Sequence, residues 1–242
     1  MMIAVSLGVL ENPTYQETRD TLSHDWVRFL DGQQVRPLMV PNALADPADF
    51  CRSLNVSGIL LTSGNDLGPL TGEEWTGSDS VSPERDTAEY ALVRYAEQNR
   101  IPLMGICRGM HTINAYFGGN LVRDVAAWTN GEQHVAVDHE VNILDREYQR
   151  IFLDRLGTKS FATNSYHNHG ITVDGLAPIL KALAATENGI IEALFHPRLP
   201  VLATQWHPER RNPDPEPASE LFRLWLRWCQ EAAQVTGLWR DS

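Results

Sequence analysis

Cys107 lies in the segment Met104-Gly105-Ile106-Cys107-Arg108-Gly109, where the flanking glycines permit a crowded, sharp bend. An apolar run, Ile101 to Ile106, precedes it, and a stretch of helical composition, Arg108 to Phe117, begins directly after it. A side chain on such a strand-to-helix turn stands clear of the sheet edge. A thiol there also feels the unpaired amides and dipole of the helix N-terminus, which favour the thiolate, the nucleophilic form of cysteine. Elsewhere a cysteine reads as a small buried apolar residue, but the Gly-x-Cys-x-Gly setting shifts the reading to a nucleophile.

A thiolate that attacks an amide needs a base able to protonate the leaving amine later, and a group that orients the base. The apolar run Val201 to Trp206 delivers His207-Pro208-Glu209 at a strand end, with the proline stiffening the turn so that the Glu209 carboxylate can reach the His207 imidazole. The attacked carbonyl becomes an oxyanion, for which preplaced backbone N–H groups are the usual partners. Gly64 in Thr62-Ser63-Gly64-Asn65-Asp66 offers one such donor, and the amide of Arg108 offers the second. Taken alone, His-Pro-Glu is a surface turn and Ser63 to Asp66 an ordinary polar turn; the cysteine elbow gives both a task.

These groups need a scaffold, and the hydropathy pattern supplies one. Met2 to Val9, Val35 to Val40, Ser57 to Thr62 and Ile101 to Ile106 read as strands, while Tyr15 to Leu30, Pro83 to Asn99 and Arg108 to Phe117 read as helices. A loop rich in Gly, Ser, Thr and Asp runs from Ser63 to Ser80, and Ser82-Pro83-Glu84 supplies a cap, a first-turn proline and an early acid. Beyond Gly118-Gly119 the runs are β-rich, at Val135 to Ile143, Ile179 to Ala184, Ile190 to Phe195 and Val201 to Trp206. Pro213 to Pro217 reads as a breaker, followed by a closing amphipathic helix, Ala218 to Ala233. The pattern predicts a three-layer, doubly wound α/β fold with a mostly parallel sheet and an added β-rich segment, in a single domain over residues 1–242. Ligands of such folds bind outside the carboxyl ends of the strands.

Twenty Lys plus Arg against thirty-one Asp plus Glu give a formal charge of -11, which makes nucleic acid and anionic membranes poor partners. No apolar run reaches the roughly 18 residues of a membrane span, and the first ten residues lack a basic leader. Three widely spaced cysteines, Cys51, Cys107 and Cys229, suit neither a disulfide framework nor a zinc site, so a reduced, cytoplasmic setting is expected.

Several separated segments resemble one family, the class I glutamine amidotransferase domain and its γ-glutamyl hydrolase relatives. Ser63-Gly64-Asn65-Asp66 resembles its oxyanion loop, Pro102 to Asn114 with Gly118-Gly119-Asn120-Leu121 its nucleophile elbow and following helix, and Gln205-Trp206-His207-Pro208-Glu209 its His-Glu strand end. Asn164-Ser165-Tyr166-His167-Asn168-His169 resembles the stretch whose backbone contacts the glutamyl group. The resemblance implies a flavodoxin-like fold, a catalytic Cys107, His207 and Glu209, a covalent thioester, and hydrolysis of a small γ-glutamyl substrate without metal or cofactor. It also implies substrate binding by Asn65, Arg108, His111, Asn164, Ser165, Tyr166 and His167. The sequence departs from the family pattern at Ser63, often a second glycine, and at His111, usually glutamine.

A finer likeness runs through Asn12-Pro13-Thr14-Tyr15-Gln16-Glu17-Thr18-Arg19-Asp20 to Trp26, and through Gly64-Asn65-Asp66-Leu67 with Arg85-Asp86. This pattern is similar to standalone γ-glutamyl-CDP-amidate hydrolases of polysaccharide phosphoramidate synthesis. Their substrate carries a diphosphate, for which Arg19, Arg85, Arg123, Arg210 and Arg211 are candidate partners. Two other readings stay open: a hydrolase of γ-glutamyl-GABA, and a glutaminase subunit that passes ammonia to a separate synthetase. A homodimer is compatible with each.

Overall fold

The computed structural model describes residues 1–70, 73 and 80–237. Positions 71, 72 and 74–79 of the Ser63–Ser80 loop lie outside the described residues. In chain order, β1 (Met2–Ser6) leads into a hairpin of β2 (Gly8–Glu11) and β3 (Thr18–Thr21), then α1 (His24–Gly32), β4 (Arg36–Val40), α2 (Pro47–Ser53), β5 (Gly58–Leu61) and α3 (Pro83–Asn99). There follow β6 (Leu103–Ile106), α4 (Arg108–Tyr116), α5 (Val125–Trp128), β7 (Val135–Ile143), α6 (Arg146–Leu156), β8 (Ser160–Tyr166) and β9 (Ile171–Thr172). The chain ends in β10 (Lys181–Ala185), β11 (Ile190–Phe195), β12 (Val201–Thr204) and α7 (Pro215–Gly237).

The main sheet has ten strands in the order β4-β1-β5-β6-β12-β11-β10-β7-β8, with β9 on β11. Strands β4, β1, β5, β6 and β12 pair in parallel. The β-rich half then adds antiparallel pairings, and among the described strands of this sheet only β7 and β11 run against the parallel set. The central strands are buried on both faces, as a covered parallel sheet requires. Ile3, Val5, Leu60, Met104 and Ile106 face a core shared with Trp26 of α1, Phe152 of α6 and Phe222 and Trp225 of α7. Ala4, Ile59, Leu61 and Leu103 face the opposite core, filled by Cys51 of α2, Leu92 and Val93 of α3 and Met110 and Ile113 of α4. The result is the expected three-layer α/β arrangement.

Four expectations change. The strand expected over Met2 to Val9 is two, since β1 ends at Ser6 in the main sheet and Gly8–Glu11 belongs to the separate hairpin. The helix expected over Tyr15 to Leu30 begins only at His24, because Ser23 caps it and Thr18–Thr21 instead pairs with Gly8–Glu11. Asp20 fastens that hairpin to the sheet, its carboxylate accepting from the Asn42 backbone and side-chain amides at 2.9 and 2.7 Å. The breaker expected at Pro213–Pro217 is in fact the start of α7, since a proline in the first turn removes only an N–H that the helix leaves unpaired. Between β7 and β10, α6 and β8 occupy a stretch that hydropathy left without elements.

Candidate active site

Cys107 joins β6 to α4 with φ 52° and ψ −106°, a conformation L-residues rarely adopt. The bend holds because Gly109 lies flat on β5: a Cβ there would collide with the Leu61 carbonyl oxygen. The Cys107 N–H donates to the Thr204 carbonyl of β12 at 2.7 Å, so the elbow is tied to the strand that carries the histidine. Arg108 is the first helical residue, whose backbone N–H a helix cannot satisfy.

Strand β12 runs into Gln205-Trp206-His207. Trp206 is fully buried and donates its indole N–H to the Ala218 carbonyl of α7 at 2.8 Å, fixing the turn. His207 is buried, and its Nδ1 lies 2.8 Å from Glu209 Oε1. Its Nε2 has no hydrogen-bond partner among the described residues. Burial pulls the His207 pKa down, but the charges of Glu209 and of the neighbouring Cys107 outweigh this and raise it to about 9. A buried imidazole oriented by a carboxylate and adjacent to a thiol can accept a proton from sulfur and deliver it to an amine.

The expected oxyanion loop follows β5. Arg85, buried in α3, donates to the carbonyls of Thr62 and Ser63 at 2.7 and 3.0 Å. With Ser63 C=O turned to Arg85, the planar trans peptide points the Gly64 N–H the opposite way. Gly64 has φ +128°, and a Cβ there would stand 2.6 Å from an Arg85 nitrogen. Arg85 is held by Glu89 at 2.9 Å, and Glu89 also binds Arg108, which in turn binds Asp86. Asn65 is engaged with the Val9 backbone at 2.8 and 2.9 Å and with Arg85 at 3.2 Å, so it fastens the loop to the hairpin.

The residues expected to touch substrate therefore divide. The Arg108 side chain points into the buried ion network, leaving only its backbone for a ligand. Asn164 is buried, and its amide grips His207 from both sides, accepting from the His207 N–H at 2.9 Å and donating to its carbonyl at 2.9 Å. Asn212, which the sequence reading passed over, donates to the same carbonyl at 2.8 Å. Ser165 donates to the His134 carbonyl at 2.6 Å, and His167 Nδ1 lies 2.9 Å from the His169 carbonyl. Tyr166 is exposed, sets its ring edge-on to His207 with centroids 5.8 Å apart, and carries the Arg210 guanidinium 4.6 Å above its centroid.

His111 lies one step from the thiol. Its Nε2 is 2.8 Å from Gln205 Oε1, and Gln205 Nε2 donates to Cys107 Sγ at 3.5 Å. Burial, only partly offset by Gln205, lowers the His111 pKa to about 3, so the ring is neutral and donates to the amide oxygen. Gln205 is the functional neighbour that sequence reasoning missed, although it stands in the strand-end motif. Of the arginines considered for a diphosphate, Arg85 holds the loop, Arg123 binds Glu73 and the Leu67 and Gly68 carbonyls, and Arg19 binds Glu17. Arg210 is the one packed beside His207, through Tyr166. No helix among the described residues is long and apolar enough to cross a membrane.

The chain is 31% identical over 211 residues to γ-glutamyl-γ-aminobutyrate hydrolase of Escherichia coli O157:H7, covering 80% of each chain. It is 27% identical over 213 residues to γ-glutamyl-CDP-amidate hydrolase of Campylobacter jejuni, covering 88% of this chain and 92% of that one. Among solved structures, the glutaminase domain of Trypanosoma brucei CTPS with bound acivicin matches with a TM-score of 0.64 at 18% identity, over 96% of this chain and 94% of that one. A glutamine amidotransferase from Thermotoga maritima matches with a TM-score of 0.56 at 11% identity, over 98% and 85%. The fold is thus that of the glutamine amidotransferases. The Peptidase C26 model matches residues 2–209, from β1 through the His207-Pro208-Glu209 turn, and the chain belongs to that family.

Proposed function

We propose that this chain hydrolyses a γ-glutamyl amide in two steps on Cys107. The observation that carries the reading is His207, oriented on Glu209 at 2.8 Å with its other ring nitrogen free beside the strained Cys107 elbow. The Cys107 thiolate attacks the γ-carbonyl carbon, and the resulting oxyanion is received by the N–H groups of Gly64 and Arg108. His207, protonated, gives its proton to the amine nitrogen as the C–N bond breaks, leaving a γ-glutamyl thioester on sulfur. Water, deprotonated by His207, attacks the thioester, and glutamate and the thiolate are released. The triad acts as a unit.

Beyond the scissile bond the leaving amine meets Tyr166 and Arg210, a setting suited to an amine that bears an anionic group. Our finer reading is γ-glutamyl-CDP-amidate, hydrolysed in the cytoplasm to glutamate and CDP-amidate for polysaccharide phosphoramidate synthesis. It is supported by the Asn12–Asp20 segment, which forms the turn and the start of the second strand of a hairpin whose first strand Asn65 clasps to the oxyanion loop at Val9. The test compares kcat/KM for γ-glutamyl-CDP-amidate, γ-glutamyl-GABA and glutamine. The nucleotide substrate is expected to lead; a lead for γ-glutamyl-GABA replaces the finer reading, and a lead for glutamine that grows on adding a synthetase moves the chain to the glutaminase class. In Cys107→Ala, turnover and the thioester adduct seen by mass spectrometry are both expected to vanish. Near-normal hydrolysis by that variant ends the mechanism.

A further inference from the structure

Four side chains that the mechanism does not use come together: buried His134 just before β7, His167 just after β8 and Glu192 in β11, and half-buried His139 in β7. Glu192 is fully buried, and its backbone carbonyl accepts from the Gln205 N–H at 2.7 Å, so the group borders the active-site strand. The His134 ring lies 5.3 Å from that of His139 and 5.1 Å from that of His167, centroid to centroid.

Donors and acceptors do not match here. His167 Nδ1 is 2.9 Å from the His169 carbonyl oxygen, which can only accept, so Nδ1 carries the proton of the neutral ring. Nε2 is then a lone pair, and it faces another acceptor, Glu192 Oε1, at 3.5 Å. Glu192 Oε2 stands 3.4 Å from His139 Nε2. Both Glu192 oxygens, both ring nitrogens of His134 and of His139, and Nε2 of His167 are buried without a hydrogen-bond partner. Such a concentration of unpaired polar atoms in an interior calls for a bound species. Separations of 3.4 and 3.5 Å exceed a charge-assisted N–H···O bond of about 2.7–2.9 Å. The one between His167 and Glu192, 3.5 Å, is close to the edge of about 3.3–3.4 Å of a tetrahedron built on metal bonds of about 2.0–2.1 Å.

We propose that His134, His167 and Glu192 bind one divalent transition-metal ion of the zinc class, with His139 steadying the second Glu192 oxygen. One ligand atom from each of the three lies within 4.8 Å of the others. Two imidazoles and a carboxylate select zinc-like ions over magnesium or calcium, which prefer all-oxygen sites. The His169 carbonyl supplies the outer hydrogen bond that fixes a metal-binding imidazole in one tautomer. A cleft of about 320 Å³ reaches His139, at the margin of the group, between Glu132, Glu140 and Glu187, whose carboxylates attract a cation. The ion fastens the ends of β7 and β8 to β11, next to the strand that carries Asn164 and Tyr166.

The test uses the Cys107→Ala chain, which removes the active-site thiol as a competing metal ligand, and its Cys107→Ala/His134→Asn derivative. Each is stripped with a chelator, dialysed against micromolar zinc and measured by mass spectrometry for bound metal. We expect one zinc per Cys107→Ala chain and a rise in Tm on loading. Both are expected to be lost in the double variant, with zinc down about tenfold or more. A folded Cys107→Ala chain that holds no zinc overturns the proposal, and so does a double variant that binds as well as its parent. Should the double variant fail to fold, X-ray absorption of the cobalt-loaded Cys107→Ala chain decides. A shell of nitrogen and oxygen with two imidazoles is expected; sulfur in the shell, or no imidazole, overturns the site.

Discussion

The Cys107 backbone, at φ 52° and ψ −106°, holds strain that serves the thiol's position, not the chain's stability. Glycine tolerates that conformation where alanine does not. Cys107→Gly is therefore expected to be more stable than Cys107→Ala by about 1 kcal/mol in chemical denaturation, with turnover lost in both. Equal stability would show that the elbow is unstrained. His207 makes a second claim. Its folded-state pKa, raised to about 9, means that its protonation contributes stability fully present below about 6.5 and lost as pH rises through about 9. The alkaline limb of kcat/KM is expected to fall near pH 9, and Glu209→Gln to move that limb to lower pH, since the carboxylate is what holds the proton. A limb that stays in place in Glu209→Gln would assign it to another group. Cys107, His207 and Glu209, the proposed reactive residues, were legible because each sits at or just past a strand end in a recognisable local motif. The engagement of Asn164 with the His207 backbone, and of Gln205 with His111 and Cys107, was not. Those partners lie 43 to 98 residues apart in sequence, and only the fold brings them together.

Loop and helix are coupled by Arg85, Glu89, Arg108 and Asp86, a buried set in which each charge has an opposite neighbour. Removing one member leaves a charge unpaired in the interior, so Glu89→Ala is expected to destabilise the chain by about 3–5 kcal/mol in urea denaturation. Its surviving folded fraction is expected to lose kcat, because Arg85 no longer holds the Thr62 and Ser63 carbonyls in place. A loss below about 1 kcal/mol would mean that the network is solvated. The strands of the parallel set were readable as continuous apolar runs, which burial on both faces demands. Strand β8 was not, because its interior positions carry Thr163, Asn164 and Ser165, buried polar residues that leave no apolar run to mark a strand. Helix α6 escaped for a different reason: only Tyr148 and Phe152 are buried on a stretch rich in charged residues, with Ile151 and Leu156 only partly covered. The Tyr15–Thr21 segment looked helical because composition does not reveal pairing, and its strand exists only against Gly8–Glu11.

Taken whole, the protein carries a formal charge of -11, with an isoelectric point near 5.1, and draws its active site from both halves of one sheet. An anionic substrate is repelled until it comes within reach of Arg210. Raising the ionic strength from about 10 to about 150 mM shortens the screening length from about 30 to about 8 Å, and is expected to raise kcat/KM for γ-glutamyl-CDP-amidate. Glutamine, with no net charge, is expected to show little change. A steep fall with salt for the nucleotide would instead reveal an attractive field at the mouth that outweighs the overall charge.

Strand β12 lies between β6 and β11, yet it is the last strand to leave the ribosome. Throughout translation of residues 107–200, β6 is the open edge of a four-stranded parallel sheet, and Cys107 is a thiol without an imidazole. The nascent chain cannot form a thioester, so no partial product consumes substrate. It does present an unpaired β edge beside a thiol. Premature termination before Val201 therefore yields a species prone to oxidation and edge-to-edge association. The same insertion of β12 that brings His207 to Cys107 also joins β6 to β11 and covers the open edge, so assembly of the proposed catalytic group and protection from aggregation occur in one event.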